Sequence, residues 1–278
     1  MDMKISGAGV LSGGEYEEVK ISGSARIEGS VRCRSFGCSG ATQVKGDLDC
    51  REGFHTSGST HVEGSLSCGA ELHSSGSTRV GGGIRAGSAH ISGELKCVSL
   101  AAEKDVRISG GASVEGKLSG GDVGVTGHLK VGDGIEAEVF RLSGSGFGPV
   151  SVGGCLECQG LLNAETVEIT LGQGKQSVTA IGGGSVTVKG VPEQAPFGGF
   201  GGFPGLGPRR FPWGEAPHGS LTVAESIEAD RVTLEYTDCP LVTGRKVVIG
   251  KGCKIDAVRY SESIEIDPSA QVDSQEKY

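Results

Sequence analysis

Aromatic side chains are scarce in this chain. Phe, Trp and Tyr make up 5 % of its 278 residues, with one Trp, which is thin for an ordinary globular core. Long apolar runs are missing too: none approaches the roughly 18–20 residues of a membrane span. The opening MDMKISGAG lacks the apolar stretch of a signal peptide, so a cytoplasmic protein is expected. There is no excess of positive charge. The formal net charge of -8 argues against a nucleic-acid partner and favours a soluble surface. No phosphate-binding loop and no carboxylate pair with a defined partner occurs.

Glycine, by contrast, is abundant at 51 residues, without the Gly-X-Y period of collagen. Cysteine occurs nine times, an odd number. With no secretion signal, these are expected to be reduced thiols serving as small apolar side chains.

The glycines follow a period. A Ser-Gly or Thr-Gly pair follows Ile21, Cys38, Thr56, Ser74, Ile91, Ile108, Val125 and Leu142, at steps of 17 or 18 residues, and Ile5 precedes an earlier copy. Inside each step runs a period of six: Ile21, Ile27, Cys33; then Cys38, Val44, Cys50; then Thr56, Val62, Cys68. Each of these positions tends to have a companion two residues before it, as in Val19/Ile21, Ala25/Ile27 and Val31/Cys33. A spacing of two puts both members on one face of a strand. Each six-residue unit therefore reads as a short strand plus a corner, and three units make one coil. The fold expected is all-β: a three-sided parallel β-helix, a solenoid of 17–18-residue coils in a single elongated domain. The corners explain the glycines, through the positive φ that a sharp turn demands. Cys33, Cys50 and Cys68 share one inward position, where Ala86, Gly120 and Ala137 stand in other coils, so that position is tight.

This divides the chain into regular coils with Ser-Gly corners over 1–142, less regular coils over 143–190, coils again over 220–273, and a tail at 274–278. Between them, 191–219 is a Gly/Pro/Phe-rich insertion with six of the nine prolines and five of the thirteen aromatics. Pro and Gly together prevent regular structure there. Phe197, Phe200, Phe203, Phe211 and Trp213 are more aromatic surface than a polar linker needs, and mark a candidate loop for docking onto the flank of the β-helix or onto a partner such as a client protein.

Other chemistry is weakly encoded. Cys155-x-x-Cys158 suggests zinc or redox chemistry, but strand phase points Cys158 inward and Cys155 outward. His55, His73 and His90 stack outward beside the first corner, in a stripe continued by Lys20, Arg107 and Arg141, which reads as a solvated cationic face. Hexapeptide repeats also build acyltransferases, in which the insertion would be the active-site loop and His218 a nearby base. No catalytic residue, cofactor or metal is assigned.

The units IEGSVRC, VKGDLDC and VEGSLSC resemble the repeat of the bactofilins, polymer-forming bacterial cytoskeletal proteins. The resemblance is best over 16–142 and looser over 220–273. It implies a right-handed three-sided β-helix that self-assembles end to end without nucleotide, with roles in cell shape or in positioning other proteins. That family's β-helix core is about half as long and lacks the insertion. Its membrane-binding tail has no match before Ile5, which speaks against membrane attachment. Elementary physics also favours assembly, because the ends of a parallel β-helix expose unpaired strand edges. Ile264, Ile266, Ala270 and Val272 lie in the last coil, followed only by SQEKY, a poor cap. The expectation is a non-enzymatic, self-associating scaffold with Ile264, Ile266 and Val272 in the contact; the alternatives are a non-polymerising binding scaffold that uses the aromatic loop and a β-helix acyltransferase.

Overall fold

A computed structural model describes residues 2–143, 155–172, 174–190 and 219–278. Among these residues there are 23 strands and no helix, so no helix is long and apolar enough to cross a membrane. The strands wind into a parallel β-solenoid of about 14 turns, each strand pairing with its equivalents in the turns before and after it. At about 4.8 Å per turn the stack is about 65 Å long.

The expected inward residues line the core. Ile5 pairs with Ile21, Ile21 with Cys38, Cys38 with Thr56, Thr56 with Ser74, and so on through Leu142. Ile21 through Leu142 in this column are all buried. The same column continues with Ile169 and Val188, then Leu234, Ile249 and Ile266. A second column runs from Leu11 and Ile27 to Ile255 and Val272. A third passes through Cys33, Cys50 and Cys68 to Ala86. The interior is filled mainly by Val, Leu, Ile, Cys and Ala, each large aliphatic side chain contributing about 1.5–3 kcal/mol of burial. Three Phe rings suffice for the rest: Phe36 and Phe54 stack at 5.5 Å between centroids, and Phe140 is fully buried.

The two long strands Cys155–Leu171 and Lys175–Gly190 belong to the same stack and pair with each other over most of their length. Successive inward residues Leu142 and Ile169 are paired neighbours although 27 residues apart, so the surplus falls between two turns that remain in register. The aromatic insertion is spanned in the same way: Thr187 on one side of it pairs with Thr233 on the other.

The corner glycines are required for a reason other than the expected one. Of the second-corner glycines, Gly29 has positive φ, at 120°, but among the described residues none of the Ser-Gly corner glycines does. What excludes a side chain at the first corner is the turn below. A Cβ on Gly40 would run into the carbonyl oxygen of Gly23, and one on Gly58 into that of Gly40. The contact repeats at Gly76, Gly93, Gly110 and Gly127, because each turn's corner sits directly on the last. Ser22 Oγ and Ser75 Oγ donate to the carbonyls of Ile5 and Thr56 at 3.2 and 3.3 Å, tying two of these corners to the preceding turn.

Candidate functional site

The two ends of the solenoid are the first candidate. Among the described residues, strands Met3–Ile5 and Ala8–Glu15 pair on one side only, with the second full turn. Strand Gln271–Lys277 likewise pairs only with Lys254–Ile266. Inward-facing apolar residues at these ends are incompletely covered. Ile5 and Leu11 are partly buried at one end; Ile264 and Val272 are partly buried at the other, and Ile266 is 38 % exposed. The equivalent residues one turn inside, Ile21, Ile27, Val247, Ile249 and Ile255, are buried.

The outward column beside the first corner is the second candidate. Lys20 pairs with Gly37, Gly37 with His55, His55 with His73, His73 with His90, and His90 with Arg107. Gly37 has no side chain there, and a surface groove of about 610 Å³ lies over it, lined by Lys4, Lys20, His55, His73 and corner serines. The histidine end of this column is a polar cluster. His90 Nδ1 lies 2.8 Å from Glu71 Oε1, and its Nε2 lies 3.2 Å from Asp105 Oδ2. Arg107 Nε also donates to Asp105 Oδ2, at 3.1 Å.

The strand period explains this meeting. Glu71, Ser88 and Asp105 each stand two residues before a member of the column, on the same outward face. Ser88 is small, so the ring of His90 reaches diagonally to the acid in the turn on either side. The hydrogen bond from His90, aided by the nearby imidazoles of His55 and His73, holds the Glu71 carboxyl below the usual range. At Asp105 burial opposes ionisation, but His90 and Arg107 outweigh it and its carboxyl is also held low. Sequence reasoning placed the three histidines on one stripe but missed Glu71 and Asp105. They lie 19 and 15 residues from His90, and only the strand-on-strand register makes them neighbours.

The cysteines are core residues: eight of the nine are buried and Cys155 is partly exposed. Cys33 Sγ and Cys50 Sγ lie 3.6 Å apart in adjacent turns, and this contact together with burial pushes the Cys50 thiol far up. Leu156 and Cys158 face inward, so the two thiols of Cys155-x-x-Cys158 point to opposite sides of the strand. Phe197, Phe200, Phe203, Phe211, Trp213 and His218 lie outside the described residues.

Comparison with known proteins gives two relatives, both from Bacillus subtilis (strain 168). The chain is 33 % identical over 118 residues to the uncharacterized protein YhbF, covering 42 % of each chain. It is 42 % identical over 57 residues to the uncharacterized protein YhbE, covering 20 % of this chain and 24 % of that one. The matched region thus spans less than half the length of either relative. No family model and no solved structure matches.

Proposed function

We propose that this protein is a non-enzymatic structural scaffold of bactofilin type, whose β-helices join end to end into a polymer. The observation that supports this reading is the match between the two ends. Each leaves one strand edge unpaired among the described residues, and each leaves apolar members of the same inward columns partly uncovered. Ile266 and Ile5 belong to one column, Val272 and Leu11 to another. Seating the last turn of one molecule on the first turn of the next therefore continues both columns and the parallel pairing. Such a contact is heterologous and does not close, which is the geometry of a filament. The cysteines suit a reducing cytoplasmic setting, since they are odd in number and mostly core residues.

Electron microscopy of the purified full chain tests the proposal. The expected result is filaments with an axial repeat of about 65 Å, or a simple multiple of it. Ile266→Arg and Val272→Arg place a charge on the open end and abolish filaments while leaving the far-ultraviolet circular dichroism unchanged. Monomers at high protein concentration in the wild type overturn the reading.

A further inference from the structure

We propose that His73, His90 and Glu71 form a binding site for a divalent transition-metal ion of the Zn²⁺ class, with Asp105 orienting His90 from behind. Ionised carboxylates only accept hydrogen bonds, and a neutral imidazole carries a single N–H. His90 nevertheless presents one ring nitrogen to Glu71 at 2.8 Å and the other to Asp105 at 3.2 Å. One contact is met by the imidazole's own N–H; the other needs a second positive centre between nitrogen and carboxylate, either a proton or a metal ion.

A proton there would need only those two partners. The structure supplies a third donor: a ring nitrogen of His73 lies in the same group, with the donor atoms of Glu71, His73 and His90 all within 4.8 Å of one another. His73 and His90 are held side by side by strand register, on adjacent strands about 4.8 Å apart. Glu71 has room to lean toward His90 because its column neighbour on that side is the small Ser88. Two imidazoles and a carboxylate form a donor set suited to Zn²⁺ and its neighbours, leaving a fourth position for water. A carboxylate accepting the remaining N–H of a ligating histidine is the arrangement that fixes tautomer and ring orientation at metal sites, and Asp105 occupies that place. The fold does not require these histidines, because Arg107 and Arg141 fill the same column in later turns.

Titration calorimetry of the full chain with Zn²⁺, paired with Co²⁺ absorption, tests the site. The expected result is one equivalent bound, with a Co²⁺ spectrum free of the near-ultraviolet thiolate band. His73→Arg and His90→Arg introduce the residue that Arg107 and Arg141 supply in later turns of the column and should abolish binding without altering circular dichroism. Glu71→Gln and Asp105→Asn should each weaken it by about tenfold or more, whereas His61→Arg, on another outward column, should leave it unchanged. The proposal is overturned by no binding at millimolar metal, by undiminished binding in folded His73→Arg or His90→Arg, or by a thiolate band showing that the cysteines hold the ion.

Discussion

The hydroxyl oxygens of Thr56 and Thr60 lie 3.1 Å apart inside the core, on either side of the Ser57-Gly58 corner. The turn below places Cys38 Sγ 3.2 Å from Thr42 Oγ1, and the turn above places Ser74 Oγ 3.0 Å from Thr78 Oγ1. In several other turns the same two positions are both apolar, as with Ile91 and Leu95 or Val125 and Leu129. Where a polar residue in the second position follows an apolar first one, backbone meets it: Gln176 Oε1 accepts from Leu156 N, and Thr237 Oγ1 donates to the Glu235 carbonyl. In the Thr56 turn the two hydroxyls are each other's partner. Thr56→Val alone should therefore cost about 1–3 kcal/mol by orphaning Thr60, whereas Thr56→Val with Thr60→Val should recover most of the loss. Thermal melts of the two single variants and the double variant measure this coupling; strictly additive losses would refute it.

Gly58 and Gly124 separate the two reasons for glycine in a strand-rich repeat. A Cβ at Gly58 meets the backbone carbonyl of Gly40, with no flexible atom to yield, whereas a Cβ at Gly124 meets nothing within 4 Å. Gly58→Ala should destabilise by more than about 2 kcal/mol, and Gly124→Ala should stay within about 0.5 kcal/mol of wild type. Similar melting shifts for the two would show that corner stacking does not explain Gly58.

The coil period and its inward phase could be read from residues such as Ile21, Ile27 and Cys33, because strand alternation is local and all three are indeed buried. What sequence did not supply was the close contacts that one turn makes with the next. The corner glycines were expected to need positive φ; their actual constraint is a carbonyl in the turn below, which has no local signature. The coils expected over 143–190 had no Ser-Gly marker after Leu142 to fix their register, and the pairing of Leu142 with Ile169 shows how the inward ladder is carried on there. His55, His73 and His90 were legible as a stripe. Their acidic neighbours are diagonal across turns and emerge only once the register is known.

Three buried thiols give the fold an alkaline limit. Burial pushes Cys97 up to about 12, and Cys239 and Cys253 up to about 11, from an ordinary value of 9.0. Above pH 9.0 the unfolded chain releases these protons while the folded chain still holds them. The folded state then binds more protons than the unfolded state, so stability falls as pH rises through this window and is fully present below it. Melting temperature should drop progressively from pH 9.0 to about 11. Cys97→Val with Cys239→Val, which copies the Val80, Val114 and Val223 of neighbouring turns, should flatten that slope. An unchanged slope would assign the alkaline loss to other groups.

Ile5 and Ile266 stand at opposite ends of one inward column, which makes the direction of assembly testable by cross-linking. If molecules stack with the last turn of one on the first turn of the next, these two positions become strand neighbours about 4.8 Å apart. That separation falls within the range a disulfide can bridge. The chain carrying both Ile5→Cys and Ile266→Cys, with the partly exposed Cys155 replaced by Ser, should give a ladder of covalent multimers under mild oxidation. Either single cysteine variant should then remain monomeric on a non-reducing gel. Dimers from a single variant would instead mean that like ends meet, which preserves end-to-end assembly but reverses alternate molecules. No cross-linking in any variant, alongside filaments in the microscope, would mean that the polymer is held by the sides of the solenoid and that its ends are not the contact.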